Sequence, residues 1–486
     1  MTGQQSPDSV ERRETATPVL AVGLDQTLVA TDTLWESLLV LVRRRPALAL
    51  MTPFWLLLGR ARFKRRLAET APLDPSTLRY NSEVVELLRA EHSAGREIVL
   101  ATASDERTAQ SVADHVGLFD AVLASDGSTN LSGWRKRDAL KLLSGDRGYD
   151  YAGDSTADIP VWHGARIALL LGASTRLVHR LRRDGVDVRV LGAGRRTLLM
   201  WLRALRVQQW AKNLLLFAPL LAAHEISLSV MLEVVWAFIA FSLCASGGYL
   251  VNDLLDLESD RVHPQKRRRP LASGVMPLPY ALVATPLLFG AAFAISLVTL
   301  PLLFTAALAA YSVLTISYSV RLKTIAIVDV LVLSGLYTLR VLAGAVAAAV
   351  PASDWMLTFS MFLFVSLAFI KRYSEVAVLR EQGVERTRGR DYAATDLELV
   401  RAVGATSGYL AVLVLALYIK SDKVVTLYRR PEILWLVEPL LLYWITRMWF
   451  IASRNRMHSD PVVFALKDRT SYIVAGITII LVLLAV

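Results

Sequence analysis

Asn252-Asp253-Leu254-Leu255-Asp256-Leu257-Glu258-Ser259-Asp260 follows an apolar run centred on residues 231–250 and precedes a basic loop carrying Arg261, Lys266, Arg267, Arg268 and Arg269. Asn252, Asp256 and Asp260 are four apart, so on a helix they share one face. Like charges at that spacing repel, and carboxylates at a membrane edge are costly. Something cationic must offset them. Carboxylates with bound water suit Mg²⁺, which in turn takes phosphate oxygens. The stretch therefore predicts a membrane helix ending in a Mg²⁺ site on the face of Asn252, Asp256 and Asp260. The alternative, a solvated acidic helix end, sits poorly beside a loop that otherwise collects positive charge.

Outward from this point the texture is that of a bilayer protein. The chain has 486 residues, 54% of them hydrophobic, and a mean hydropathy of +0.42, more apolar than soluble proteins average. From about Thr197 nine apolar segments of near-spanning length centre on 213–228, 231–250, 278–298, 300–318, 325–349, 355–371, 401–420, 431–452 and 470–486. The exits of the second, fourth, sixth and eighth are basic. They carry Arg261 to Arg269, then Arg321 and Lys323, then Lys371, Arg372, Arg380, Arg386, Arg388 and Arg390, then Arg454, Arg456, Lys467 and Arg469. Positive loops stay in the cytoplasm, which predicts a multi-pass protein of the cell (inner) membrane with these ends cytoplasmic. Lys420, Lys423, Arg429 and Arg430 after the seventh segment depart from the rule. The net charge of +11 is read as this loop bias, and no nucleic-acid partner is expected. Cys244 is the single cysteine, so no internal disulfide forms. No cleaved signal peptide is expected at the N-terminus, which keeps the first domain cytoplasmic.

Residues 1–17 are polar and predicted disordered. Residues 18–195 alternate short apolar runs with amphipathic segments. Strands are expected at Val19–Val22, Glu97–Ala101, Phe119–Leu123, Tyr149–Gly153, Ala165–Leu171 and Val186–Leu191, and helices at Val84–Ser93 and Arg107–His115. This alternation predicts a soluble α/β, Rossmann-like domain with a parallel sheet. An insert at about 35–80 contains the apolar run Pro46–Leu58, flanked by Arg43, Arg44, Arg45 and Arg60. It is too short to span a bilayer. It reads either as a cap helix lying on the membrane surface or as a helix buried in the soluble core.

The stretch Asn252-Asp-x-x-Asp256-x-x-x-Asp260 resembles the first signature of the UbiA superfamily of intramembrane prenyltransferases, whose aspartates bind diphosphate through Mg²⁺. The resemblance implies an all-α, nine-helix UbiA-type transmembrane bundle over 203–486. Where the family carries a second DxxxD, this chain has Asp329 followed at the fourth position by Leu333. Four further stretches resemble the polyprenyl-phosphate (decaprenyl-phosphate) phosphoribosyltransferase branch: Arg206-Val-Gln-Gln209-Trp210-Ala-Lys212-Asn213, Asp260-Arg261-x-His263-Pro264-x-Lys266-Arg267-x-Arg269-Pro270, Lys371-Arg372-Tyr373-x-Glu375, and Asp460-Pro461-Val-Val-Phe464-Ala-Leu-Lys467-Asp468-Arg469. That branch implies phosphoribosyl diphosphate as donor, a polyprenyl phosphate lipid as acceptor, Mg²⁺ as cofactor and cell wall biosynthesis as context. The resemblance implies Asn252, Asp253, Asp256 and Asp260 as the Mg²⁺ ligands, and Asp253, Asp256, Asp260 and Lys323 as the catalytic candidates. Lys212, Asn252, Lys266, Arg267, Asp329, Lys371, Arg372, Tyr373, Lys467 and Arg469 are the substrate-binding candidates.

Val22-Gly23-Leu24-Asp25-Gln26-Thr27-Leu28, Ala101-Thr102-Ala103-Ser104, Lys136 or Lys141, and Gly153-Asp154-Ser155-Thr156-Ala157-Asp158 resemble, in that order, the haloacid dehalogenase-like phosphatases. Their first motif is DxDGT, and its leading Asp forms a phosphoaspartate. Here that position is Gly23 and the usual Gly is Gln26. The resemblance implies a phosphate-and-Mg²⁺ pocket of Asp25, Thr102, Lys136, Asp154 and Asp158 without turnover. Two rival readings remain for the whole chain. One is an aromatic prenyltransferase consuming a polyprenyl diphosphate. The other is a membrane scaffold or transporter without chemistry, which predicts polar residues near the midplane of several helices.

Overall fold

The computed structural model describes residues 17–172, 174–192, 198–224, 227–383, 385, 390–457 and 460–486. The predicted disorder of the N-terminus, and Arg386 and Arg388, fall almost wholly outside them. The chain divides into two compact units. The first runs through Trp201 and also takes in Asp256–Ala281; the second is Leu202–Leu255 with Leu282–Val486.

The first unit is built on six parallel strands in the order β3-β2-β1-β4-β5-β6. These are β1 (Val19–Val22), β2 (Ile98–Asp105), β3 (Ala121–Ser125), β4 (Tyr149–Gly153), β5 (Ile167–Leu171) and β6 (Asp187–Leu191). β1 lies between β2 and β4, with Leu20 opposite Ile98 on one side and Asp150 on the other. The central strands are buried on both faces, so they read as continuous apolar runs. All six expected strands are present, and so are the helices Ser82–Ser93 and Glu106–Val116. The insert folds as four helices, α1 (Thr33–Arg44), α2 (Pro46–Ala49), α3 (Thr52–Leu56) and α4 (Arg60–Thr70). Asp32 caps α1 by accepting from Leu34 and Trp35 N–H.

The basic loop after the acidic stretch belongs to this unit rather than to the helical one, which sequence could not reveal. Arg261 forms a buried ion pair with Glu36 of α1. Gly274 has φ +76°, and a Cβ there would lie 2.6 Å from the Ala30 Cβ, so only glycine permits the approach.

The second unit is helical. Among the described residues seven helices are long and apolar enough to cross a membrane: Leu228–Leu255, Leu278–Thr299, Leu302–Val320, Val328–Ala347, Asp354–Glu381, Ala394–Ile419 and Pro431–Ser453. The expected nine spans are thus met by seven among the described residues, plus two shorter segments. The first expected span is a 3₁₀ run, Val207–Phe217, leading into a short helix, Ala218–Ala223. Pro219 cannot donate the hydrogen bond that would continue one α-helix through both. The last, Arg469–Ala485, has 17 residues. The protein is a multi-pass membrane protein.

Candidate active site

In the helical unit, Asn252 and Asp253 lie on the last turn of Leu228–Leu255. Asp253 is buried and pairs with Arg206, a residue quoted in the sequence only as the start of its motif. Arg206 sits at φ +50°, at the strained entrance to the 3₁₀ run. Lys323 lies 3.4 Å from the Asn252 side-chain oxygen. In the first unit, Asp256 precedes the helix Leu257–Val262. The buried Asp260 lies 2.5 Å from Arg269. Asp253 within the helical unit and Asp260 within the first unit are thus each a hard oxygen donor beside an arginine. Among the described residues no three His, Cys, Asp or Glu side chains are gathered as a metal cage. Mg²⁺ seldom uses such a cage; it takes one or two carboxylates and completes its shell with water and substrate phosphate. Carboxylate oxygens such as those of Asp253, and of Asp260 in the other unit, are the donor type that ion takes.

Three of the quoted stretches converge on one carboxylate. Lys212 from the 3₁₀ run donates to Asp460 at 2.9 Å, and Lys371 from Asp354–Glu381 lies 3.5 Å from it. Asp460 also caps Pro461–Ala465 by accepting from Val462 N–H. Burial works against its charge, yet the two ammonium groups hold it well below the usual carboxylate range. The next-door Arg372 turns elsewhere. It is fully buried, 2.5 Å from both Asp329 and Glu375 and 3.3 Å from the Tyr318 hydroxyl. Tyr392 donates to Asp329 at 2.7 Å and accepts from Ile327 N–H at 2.9 Å. It thereby pins Ile327, a β-branched residue at φ +69°, at the entry of Val328–Ala347. Such strain persists only where neighbours enforce it. Tyr373 is buried edge-on against Trp449. Lys467 and Arg469 are exposed, as is Arg267, while Lys266 is half-buried. The structure thus brings Lys212 and Lys371 together and places Arg372 with Asp329 in a packed ion-pair network.

Arg340 was not singled out from sequence. It is buried midway along Val328–Ala347 and donates to the Asn213 amide oxygen at 2.8 Å and the Tyr311 hydroxyl at 2.9 Å. An arginine inside an apolar span was itself the available signal.

In the first unit the residues expected to form a phosphate pocket gather at the carboxyl ends of β1, β2 and β4, where open α/β sheets bind ligands. Asp25 accepts from Thr33 N–H at 2.7 Å and from the Ser104 hydroxyl at 2.5 Å. Thr102 accepts from Ser104 N–H. Lys136 donates to Asp158 at 2.9 Å, and Thr27 donates weakly to Asp154. Lys64 of α4 adds a cation, donating to the Ala103 carbonyl and Asn130. Gln26 holds φ +53°, a conformation that favours the glycine the resemblance leads one to expect there. A Cβ at Gly23 would lie 3.1 Å from both the Thr27 and Tyr151 hydroxyls. Tyr151 accepts from Lys136 at 2.8 Å and donates to Asp158 at 3.1 Å. Its hydroxyl therefore stands beside the position of the missing carboxylate.

Burial, with the charges of Asp158 and Asp25 adding to it, pushes Asp154 up to about 7. Burial and Asp25 push Asp32 to about 7 as well. An acid raised this way keeps its proton in the folded state after the unfolded chain has lost it. Stability therefore falls as pH climbs from about 4 to about 7 and stays low above that. Asp32→Asn keeps the α1 cap and removes the charge. It should raise the melting temperature of the full chain's first unit by a few degrees at about pH 8 and leave it nearly unchanged at about pH 4, read by tryptophan fluorescence.

A parallel α/β unit with this pocket, followed by a helical unit with seven helices, among the described residues, long and apolar enough to span, defines a multi-pass membrane protein with an N-terminal haloacid dehalogenase-like domain. Residues 21–163 match the haloacid dehalogenase-like hydrolase family. Residues 214–473 match the UbiA prenyltransferase family, and the chain belongs to that family. The chain is 35% identical to uncharacterized protein y4nM of Sinorhizobium fredii over 94% of its own length and 89% of that protein. It is 35% identical to nodulation protein NoeC of Azorhizobium caulinodans over 59% of this chain and 93% of that one. It is 35% identical to decaprenyl-phosphate phosphoribosyltransferase of Mycolicibacterium smegmatis over 42% of this chain and 66% of that one. A UbiA homologue from Archaeoglobus fulgidus, solved with GPP and Mg²⁺, is 16% identical with a TM-score of 0.45, covering 58% of this chain and 99% of that chain.

Proposed function

We propose that residues 203–486 transfer the 5-phosphoribosyl group of phosphoribosyl diphosphate to a polyprenyl phosphate at the cytoplasmic face of the cell (inner) membrane. The observation that carries the reading is the meeting of Lys212 and Lys371 at Asp460, from three stretches that resemble the decaprenyl-phosphate enzymes. A phosphate oxygen of the lipid attacks the anomeric carbon. The bond from that carbon to the diphosphate breaks, and its electron pair leaves with the diphosphate. The acceptor is already an anion, so no strong base is needed. The work is positioning and charge neutralisation. Mg²⁺ held by Asn252, Asp253, Asp256 and Asp260 would supply positive charge to the departing diphosphate. Lys323, Lys266 and Arg267 add to that charge. Lys212 and Lys371, held facing each other by Asp460, suit a second phosphate. Arg372 and Asp329 fix the helix that presents Lys371.

The chain, incubated with polyprenyl phosphate and phosphoribosyl diphosphate, should yield a phosphoribosylated lipid detectable by mass spectrometry. Product formation only from a polyprenyl diphosphate and an aromatic acceptor would replace the reading with prenyl transfer.

Residues 18–195, with the cap at about 35–80, do not turn over phosphate in this proposal. Restoring Gly23→Asp alone should release none from p-nitrophenyl phosphate, because Tyr151 and Thr27 crowd the new side chain. Gly23→Asp with Tyr151→Phe makes room and should gain release. Silence of both variants would remove support for a lost nucleophile as the cause.

A further inference from the structure

The insert of the first unit exposes what a soluble domain would bury. Of the run Pro46–Leu58, only Trp55 is buried in the small core formed with Val40, Leu41, Phe63 and Leu67, with Leu48 and Ala49 partly buried against it. Leu57 is 83% exposed, Leu50 79% and Phe54 67%, with Met51, Leu56 and Leu58 about half-exposed beside them. The reading of this segment as a buried core helix is therefore set aside by the structure. Adjacent large apolar side chains left in solvent mark an interaction surface.

Charge says what covers it. Between Glu36 and Glu69 the chain has no acidic residue and eight basic ones. Four are engaged within the unit. Arg43 pairs with Glu258, Arg65 with Asp105, Lys64 donates to Ala103 and Asn130, and Arg66 lies over the Trp55 ring. Arg44, Arg45, Arg60 and Arg62 remain exposed at the two ends of the apolar run. A short apolar ridge bracketed by arginines matches the boundary of an anionic bilayer, where leucine and phenylalanine enter the acyl region and guanidinium groups meet lipid phosphates. A second copy of the same insert would bring more arginines and no acid to meet them. The rest of the chain spans a bilayer, so lipid is within the same assembly. We infer that α2 and α3 dock on an anionic lipid surface and anchor the first unit to the membrane plane, independently of any chemistry in the helical unit.

The test uses the full chain with Cys244→Ala, carrying a nitroxide at Leu57→Cys or, as a control, at the exposed Leu142→Cys. It is reconstituted in phosphatidylcholine vesicles with or without phosphatidylglycerol. With phosphatidylglycerol, the label at 57 should be several-fold more accessible to oxygen, which partitions into lipid, than to a water-soluble nickel chelate, while the label at 142 shows the reverse. Adding Arg44→Glu and Arg45→Glu, or omitting phosphatidylglycerol, should move the label at 57 towards water. Equal exposure to the chelate at 57 and 142 overturns the inference. So does protection at 57 from both reagents, which would mean a protein partner or a second copy. Protection unchanged by charge or lipid composition overturns the anionic occupant.

Discussion

Asp256→Ala is expected to abolish transfer, with turnover falling by at least about two to three orders of magnitude, the scale lost when a group stabilising developing charge is removed. In the proposed reaction the diphosphate takes up negative charge as the sugar–oxygen bond breaks, so losing a carboxylate that seats the divalent ion raises the barrier directly. The fold should survive. Asp256 is half-buried and stands just before a short helix, whose first turn uses its backbone carbonyl through Asp260 N–H; alanine keeps that carbonyl. Glu258→Gln is the matched control. Glu258 is in the same stretch but pairs with Arg43, an exposed contact contributing about 1 kcal/mol or less, and its loss should leave turnover near the parent value. Measurement is by initial rate of lipid product at saturating Mg²⁺, with melting temperature alongside. A scaffold or transporter would leave both variants alike, and full activity in Asp256→Ala would sink the metal-seating role.

The sequence made the sheet legible because its central strands are buried on both faces and its loops carry turn residues, so apolar runs and strands coincide. Val19–Val22 and Tyr149–Gly153 were read to the residue. The membrane half was legible in composition but less so in geometry. The segment at 213–228 looked like a full span, yet it starts inside the 3₁₀ run Val207–Phe217 and goes on as the short helix Ala218–Ala223 with Pro219 in its first turn, because proline and the strained entry decide there rather than hydropathy. Pairings across long separations were out of reach. Nothing in the spacing of Lys212 and Asp460 shows that 248 positions apart they meet at 2.9 Å. Tyr151 was read as a strand residue, and only the structure places its hydroxyl beside Gly23. The insert is the converse case. Its run of apolar residues was noticed, but only exposure distinguishes a lipid-facing ridge from a core helix.

Arg372→Ala should destabilise the helical unit by about 3–5 kcal/mol, the cost of stranding a buried partner charge, and lower the melting temperature by on the order of 10 °C. Asp329→Ala should do much the same, because Arg372 and Asp329 are almost fully buried and face each other. Arginine was chosen from sequence as a phosphate binder, and a guanidinium fork does suit that task. In this fold the fork is already engaged with Asp329, Glu375 and the Tyr318 hydroxyl. The distinction is measurable because the two roles separate the partners. If Arg372 gripped substrate phosphate, Asp329→Ala would free it for that task, and Arg372→Ala would raise KM with the melting temperature unchanged. If the pair instead locks Asp354–Glu381 against Val328–Ala347, both single variants lose stability together. Arg372→Met with Asp329→Leu then recovers much of it, since an apolar pair of similar volume strands no charge. The double variant should regain melting temperature while Lys371, one residue from the lock, keeps its place near Asp460. Activity returning with stability in that variant would show that Arg372 acts through the position of Lys371 rather than by touching substrate.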